Sequence, residues 1–136
     1  MYTVSLHKKM ERKIILTALI FGFLAIVLGA FGAHALKKVL ATEQLNSFEV
    51  GVRYLMYHAL FLLFLGSTQL LLPEQKTIIF YFALFGTIAF SGSIFLLTTM
   101  PITKINFKFL GPVTPIGGLL LLVAWFWFFI NILKKN

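Results

Sequence analysis

The chain has 136 residues, of which 60% are hydrophobic and only 12% are charged, and its formal net charge is +8. A soluble domain has about 45–50% apolar and about 25% charged residues, and a chain this short could not bury so much apolar surface in water. The composition therefore excludes a water-soluble globular domain. The absence of cysteine from the sequence also excludes disulfides, thiolate metal sites and cysteine nucleophiles.

The basic residues lie at the ends of long apolar runs. This placement is typical of juxtamembrane anchors for anionic lipid headgroups, and it argues against nucleic acid as a partner. We therefore expect the lipid bilayer to be the main partner. A homo-oligomer or a larger membrane complex is compatible with the same pattern.

Four stretches without Asp, Glu, Lys or Arg are each long enough for a helix to cross a hydrocarbon core of about 30 Å. Helices satisfy their own backbone in lipid, so the pattern predicts an all-α, integral membrane, four-helix up-and-down bundle. The predicted spans are residues 14–36, 54–73, 77–99 and 115–133, within a single domain of residues 14–133. Residues 1–13 form a basic leader and residues 134–136 a basic tail.

Two other interpretations of the first stretch stay open. A basic leader, an apolar run and "AHA" at residues 33–35 are similar to a signal peptide, although the run is longer than the usual apolar region of about 7–15 residues. Met10 is also a suitable start, because "MERKIIL" leads directly into the first span. Residues 1–9 would then be a disordered or misannotated extension.

A small excess of Lys and Arg on the side of the N-terminus, led by the cluster before the first span, predicts that both termini are cytoplasmic. The expected location is the cell membrane. Trp125 and Trp127, near the end of the fourth span, are expected in the interfacial aromatic belt.

The segment between the first two spans is predicted to contain the start of the second helix. Thr42 is a suitable N-cap, and Glu43 suits a first helical turn. Glu49 and Arg53 are four residues apart with the acid first, which is the favourable order for an ion pair on a helix.

Short connections define the other two turns. "PEQK" at residues 73–76 is so short that it requires an antiparallel hairpin. In the last connection, Thr114 and Pro115 are predicted as the N-cap and first residue of the fourth helix. Gly111 and Pro112 belong to the turn before it.

Helix packing in lipid depends on close backbone approach and on polar side chains, so small residues mark the predicted contacts. On the first helix they recur every three or four residues, as in a heptad seam: Ala18, Gly22, Ala25, Gly29 and Gly32. On the third and fourth helices the candidates are Ser91, Gly92, Ser93, Gly117 and Gly118.

The histidines are the main candidates for function, since ionisable residues in a membrane are rare. His34 is near the end of the first apolar run and His58 near the start of the second, so we expect both rings at a similar depth. The surrounding candidate cluster consists of Tyr54, Tyr57, Arg53 and Glu49. Three interpretations stay open: neutral hydrogen-bonding residues that tie the long loop to the bundle, a site for protons or a small polar solute, and ligands of a metal or haem iron.

The sequence contains no recognisable catalytic set. We therefore expect no enzymatic activity and no cofactor. The expected function is a structural or accessory component of the cell membrane. The alternatives are an oligomeric transporter or channel for protons or a small solute, and a haem- or metal-binding protein that uses His34 and His58.

Four motifs together resemble a known family. "LGAFGAHALKK", "YLMYHALFLL", "FSGSIFLL" and "LGPVTPIGGLLLL" are similar, in order and spacing, to small bacterial membrane proteins grouped as domain of unknown function 423, whose eukaryotic relatives are called transmembrane protein 256. The resemblance covers residues 14–133 and implies a multi-pass membrane protein with four helices and no known activity. It also marks positions found above: Gly29, Gly32, His34, Tyr57, His58, Ser91, Gly92, Gly111, Pro112, Pro115 and Gly117.

Overall fold

The structure, a computed structural model, describes residues 2–135, which form helices joined by short connections. The four long helices are α1 (Tyr2–His34), α2 (Thr42–Ser67), α3 (Pro73–Thr98) and α5 (Val113–Leu133), and a short helix, α4 (Met100–Thr103), follows α3. The predicted all-α architecture is confirmed, with no strand in residues 2–135. Met1 and Asn136, from the predicted leader and tail, lie outside the described residues.

All four long helices are long and apolar enough to cross a membrane. Their mean hydropathy ranges from 2.8 in α1 to 1.4 in α2, so α2 is the least apolar span. Successive spans run in opposite directions because the connections between them are short. The chain is therefore a multi-pass, up-and-down membrane protein.

The two central helices are α2 and α3. They bury 44% and 39% of their most apolar segments, against 22% for α1 and 17% for α5. α1 packs along α2, and α5 packs along α3. The outer helices consequently present broad apolar faces to lipid, including Phe23 and Ile26 on α1 and Leu122 and Phe126 on α5.

The small residues of α1 face α2. A Cβ on Gly22, Gly29 or Gly32 would lie 3.7, 3.4 or 3.1 Å from the nearest atom of Ala59, Val52 or Phe48, respectively. Ala18 and Ala25, on the same side of α1, are buried. These contacts set the antiparallel register of α1 and α2, and they place any α2 side chain at a definite depth along α1.

Two predicted helix starts are wrong, that of α2 by one residue and that of α5 by two. Thr42 is the first residue of α2 and not its cap, because Ala41 is extended and its N–H donates to the side chain of Gln44. α5 begins at Val113, ahead of the predicted Thr114 cap. Pro112, just before it, already has helical φ and ψ angles, so Thr114 and Pro115 lie in the first turn.

The predicted leader is part of α1. Residues 2–13 continue the helix without a break, so the alternative of a disordered extension does not fit the described residues, while a start at Met10 stays a prediction. Two side chains join this segment to α3: Lys76 Nζ donates to Glu11 Oε1 at 2.8 Å, and Lys13 Nζ donates to the Tyr81 hydroxyl at 2.8 Å. The Lys76 side chain is only 3% exposed, so the ion pair closes this end of the bundle.

A π-helical segment, Ile88–Gly92, interrupts α3. The backbone of this segment makes the closest contact between α3 and α5, because a Cβ on Gly117 would lie 2.4 Å from Phe90 N. Only glycine fits at Gly117 without movement of one helix. Gly118 is less crowded, since its Cβ would lie 3.7 Å from the Phe90 ring.

The serines around the π-helical segment bond to both neighbouring helices. Ser91 donates to the carbonyl oxygen of Gly51 on α2 at 2.7 Å, and the hydroxyls of Ser93 and Thr114 on α5 are 2.6 Å apart. The predicted packing role of Gly92 is wrong, because no neighbouring atom lies within 4 Å of where its Cβ would be. The extra residue of the π turn rotates Gly92 away from both interfaces.

Candidate functional site

His58 is the buried ionisable group in the middle of the described spans, and both of its ring nitrogens are engaged. Nδ1 lies 2.7 Å from the carbonyl oxygen of Tyr54, one turn earlier on α2. Nε2 accepts a hydrogen bond from the Trp125 indole Nε1–H on α5 at 3.0 Å. A carbonyl can only accept and an indole N–H can only donate, so the two contacts assign the neutral tautomer with the proton on Nδ1.

The depth of His58 follows from the α1–α2 register. Contacts between Gly22 and Ala59 and between Gly29 and Val52 place His58 level with residue 23 of α1. The charge-free stretch of α1 has its midpoint at residue 25, so His58 lies about 3 Å along the helix axis from the middle of this stretch, well inside the expected hydrocarbon core. The hydrogen bond to Trp125 is therefore formed where water cannot replace it.

The prediction that His34 and His58 share a depth is wrong. His34 ends α1 and is level with residue 47 of α2, about 16 Å from His58 along the helix axes. Its side chain is exposed and makes no hydrogen bond within residues 2–135, so it does not tie the loop to the bundle. The prediction failed because the early turns of α2, which were expected outside the membrane, already pack against α1 through Phe48 and Val52.

The other members of the predicted cluster divide between two faces of α2. Tyr54 lies beside His58, with ring centroids 6.4 Å apart, and the exposed Tyr57 ring lies 5.5 Å from Tyr54 at the edge of a pocket that His58 also lines. Arg53 and Glu49 are exposed on the outer side of α2. The predicted Glu49–Arg53 ion pair is wrong. The ion pair found within residues 2–135 joins Lys76 to Glu11, and the Glu49 and Arg53 side chains do not form one.

A lateral groove of about 560 Å³ runs between α2 and α5 beside His58. Its walls include Tyr54, His58 and Trp125, with Phe90 of α3 and Pro115 and Gly118 of α5 further along. Beyond Trp125, the space between the same helices is lined by aromatic rings alone: Phe61, Phe64, Phe128 and Phe129. The polar part of the groove therefore ends at the His58–Trp125 bond and does not continue across the membrane.

Sequence reasoning missed two functional contacts. Trp125 was expected in the interfacial belt, but it lies deep in the span and donates to His58. The available signal was its position well inside the predicted span, since a buried indole N–H needs an acceptor. The ion pair between Glu11 and Lys76 was also not predicted from the sequence. The available signal was that the acid in the basic leader lies on the same side of the membrane as the α2–α3 turn.

The site has few side-chain atoms that could bind a metal ion or haem iron. Within residues 2–135, no group of three or more His, Asp or Glu side chains is close enough to hold a metal ion. The Nε2 lone pair of His58, which a metal or haem iron would need, is occupied by the indole N–H of Trp125. The arrangement acts instead as a hydrogen-bonded link between α2 and α5.

The fold and its buried polar link describe a four-span helical protein of the cell membrane. The model of the family described as "Protein of unknown function (DUF423)" matches residues 28–118, and the chain belongs to this family. The matched segment includes His58, Ser91 and Gly117, while Trp125 lies beyond it.

Curated relatives are named as membrane proteins. A UPF0382 membrane protein of Staphylococcus saprophyticus is 36% identical over 111 residues, which cover 82% of this chain and 88% of the relative. The UPF0382 inner membrane protein YgdD of Escherichia coli (strain K12) is 33% identical over 119 residues, covering 85% of each chain. No solved structure matches the chain.

Proposed function

We propose that the protein is a non-catalytic accessory component of the cell membrane, which acts through its lipid-facing surfaces on other membrane proteins. The observation that carries this proposal is the engagement of both nitrogens of His58 by groups of the protein. The side chain best placed to bind a proton, solute or metal has no free donor or acceptor in the described structure.

The groove beside His58 supports the same function. Selective paths for ions or polar solutes are lined by carbonyl, polar or charged groups. Here the polar walls stop at Trp125, and only phenylalanine rings continue toward the termini. The hydroxyls of Ser91 and Ser93 are also used, in bonds between α3 and its neighbours.

Flux measurements test the proposal against a transport function. Purified protein in proteoliposomes should pass protons and small solutes no faster than protein-free vesicles do. The variant His58→Gln should leave that rate unchanged. Flux above the vesicle background that disappears in His58→Gln would contradict the proposal and support a transporter.

Two further measurements address the remaining functions. Absorption spectra and metal analysis of the purified protein should show no haem or stoichiometric metal, with no difference between the native chain and His58→Gln. Native electrophoresis of mildly solubilised membranes should show the chain migrating with a second membrane protein. A haem or metal signal lost in His58→Gln would overturn the proposal, as would migration of the chain on its own in every detergent.

A further inference from the structure

The face of α2 that points away from the other helices is polar. Four exposed side chains lie along it, and we call them the outer polar stripe: Asn46, Glu49, Arg53 and Tyr57. They recur at intervals of three and four residues, so they follow one side of the helix. Buried residues such as Phe48, Leu55 and Leu62 occupy the opposite side. The stripe accounts for the low mean hydropathy of α2, which is 1.4.

The stripe extends deep into the membrane. The contact between Gly29 and Val52 places Arg53 level with residue 28 of α1, about 5 Å from the middle of its charge-free stretch. At this depth the exposed side chains of α1, such as Val27 and Phe31, are apolar. Charged side chains within a span almost always pair with another group, because exposure to hydrocarbon is costly.

The stripe has no such partner within the described chain. Neither Glu49 nor Arg53 has an ionic partner within 4.0 Å in residues 2–135, although their spacing would allow a pair on the helix. Both side chains are exposed, on the side of α2 opposite its buried residues. The stripe therefore carries one acid and one base, separated by one helical turn and facing lipid.

We propose that the outer polar stripe is the interface with a second copy of this chain in the same orientation. The two α2 helices lie parallel about a twofold axis along the membrane normal. Glu49 of each copy pairs with the partner's Arg53. This inference goes beyond the proposed accessory function and does not depend on it.

The charge pattern matches that symmetry. At about 100° per residue, Glu49 and Arg53 lie about 40° apart around α2, one on each side of the line that would face a partner. A twofold rotation brings the Glu49 side of one helix against the Arg53 side of the other and keeps like charges on opposite sides. The partners differ in height by about 6 Å, which an arginine side chain can span.

An apolar residue continues the same face toward the termini. Leu60 is 57% exposed and lies in line with Arg53, whereas Phe64, one turn further, stacks on Phe128 of α5 at a centroid distance of 5.8 Å. Positions 46, 53 and 60 are seven residues apart, which is the repeat of a left-handed helix pair. The face thus combines a polar pair that specifies the partner with an apolar position for packing.

Cysteine cross-linking in native membranes tests which surface meets a second copy. The chain has no cysteine of its own, so Leu60→Cys and Leu119→Cys each introduce a single reactive site. Leu119 is the matched control, because it is 61% exposed and lies on α5 at the open side of the groove beside His58, away from the outer polar stripe. Copper-phenanthroline oxidation should convert Leu60→Cys to a covalent dimer at least five times more efficiently than Leu119→Cys. Equal yields, or a Leu60→Cys product with a different protein, would overturn the proposal.

Charge reversal tests the ion pair itself. Glu49→Arg alone and Arg53→Glu alone should each lose self-association, measured by co-purification of two differently tagged copies. Co-expression of the two variants, one with each tag, should restore co-purification, because one copy then presents two bases and the other two acids. An ion pair within one chain cannot produce this rescue. Failure of the mixed pair to associate while both variants fold would overturn the proposal.

Discussion

Replacement of Trp125 by phenylalanine tests the buried link between α2 and α5. The substitution keeps an aromatic ring but removes the indole N–H, and it leaves His58 Nε2 without a donor 3.0 Å away. Trp125 is 52% exposed to lipid, so little packing is lost with the smaller ring. The measured change in the free energy of unfolding should therefore report mainly on the hydrogen bond.

The expected magnitude follows from the depth of the bond. A buried acceptor left without a partner costs about 1–3 kcal/mol, because no water replaces the lost donor. Hydrogen bonds between helices in a bilayer have a smaller coupling, on average about 0.6 kcal/mol and at most about 1.7 kcal/mol. We expect Trp125→Phe to lower the free energy of unfolding by about 1–2 kcal/mol, with a coupling to His58 of about 0.6–1.7 kcal/mol.

Reversible unfolding in mixed micelles, over a series of detergent compositions, provides the assay. The double-mutant cycle combines Trp125→Phe with His58→Leu and isolates the coupling between the two side chains. Trp127→Phe is the matched control, because it makes the same change on the same helix at an indole that makes no hydrogen bond within residues 2–135. The Asn131 side chain donates only to the Trp127 backbone carbonyl, which the substitution keeps. Equal effects of the two tryptophan substitutions, or a coupling near zero, would refute the link.

Three further substitutions should give distinct results in the same assay. Gly117→Ala should cost about 1–3 kcal/mol by overpacking against α3, whereas Gly118→Ala should cost little, because its Cβ has room. Glu11→Gln leaves Lys76 buried without its counter-charge and should cost about 3 kcal/mol or more. His34→Leu should change stability by less than about 0.5 kcal/mol, because the His34 side chain is exposed.

Controls separate these effects from general damage. Glu74→Gln neutralises an exposed acid of α3 and should be nearly neutral, so equal losses from Glu11→Gln and Glu74→Gln would contradict the role of the ion pair. The double variant Glu11→Gln with Lys76→Met should recover stability relative to Glu11→Gln alone, because no buried charge then lacks a partner. A large loss in His34→Leu would show that this side chain makes a contact in the folded protein.

Much of the fold follows from composition and spacing. The charge-free stretches give the number of spans, and the small residues of α1 mark the helix pair that packs most closely, since Gly32 and Gly29 meet α2 directly. Both features depend on the physics of lipid, which permits only internally bonded helices and favours close backbone contact. Orientation of the termini stays a prediction from the distribution of Lys and Arg.

The candidate site was harder to predict because its depth depends on helix register. Distances from the ends of charge-free stretches placed His34 and His58 together, but Arg53 does not mark the membrane boundary on α2. The partner of His58 could not be found from sequence either, since Trp125 is distant along the chain and joins it only through the packing of α5 on α3. The π turn that displaces Gly92 has no sequence pattern that spacing rules recognise.

Because α1 is one unbroken helix, it crosses the membrane and also projects beyond it as a rigid arm. Lys13 is eleven positions after Tyr2, so the helix projects about 16 Å beyond the point where its apolar stretch begins. Its base is held to α3 by Glu11 and Lys13, and any rotation of that base is carried rigidly to the tip. A change of about 10° in tilt would move the tip by about 3 Å, which spectroscopic probes on this arm can follow as a direct report of motion inside the bilayer.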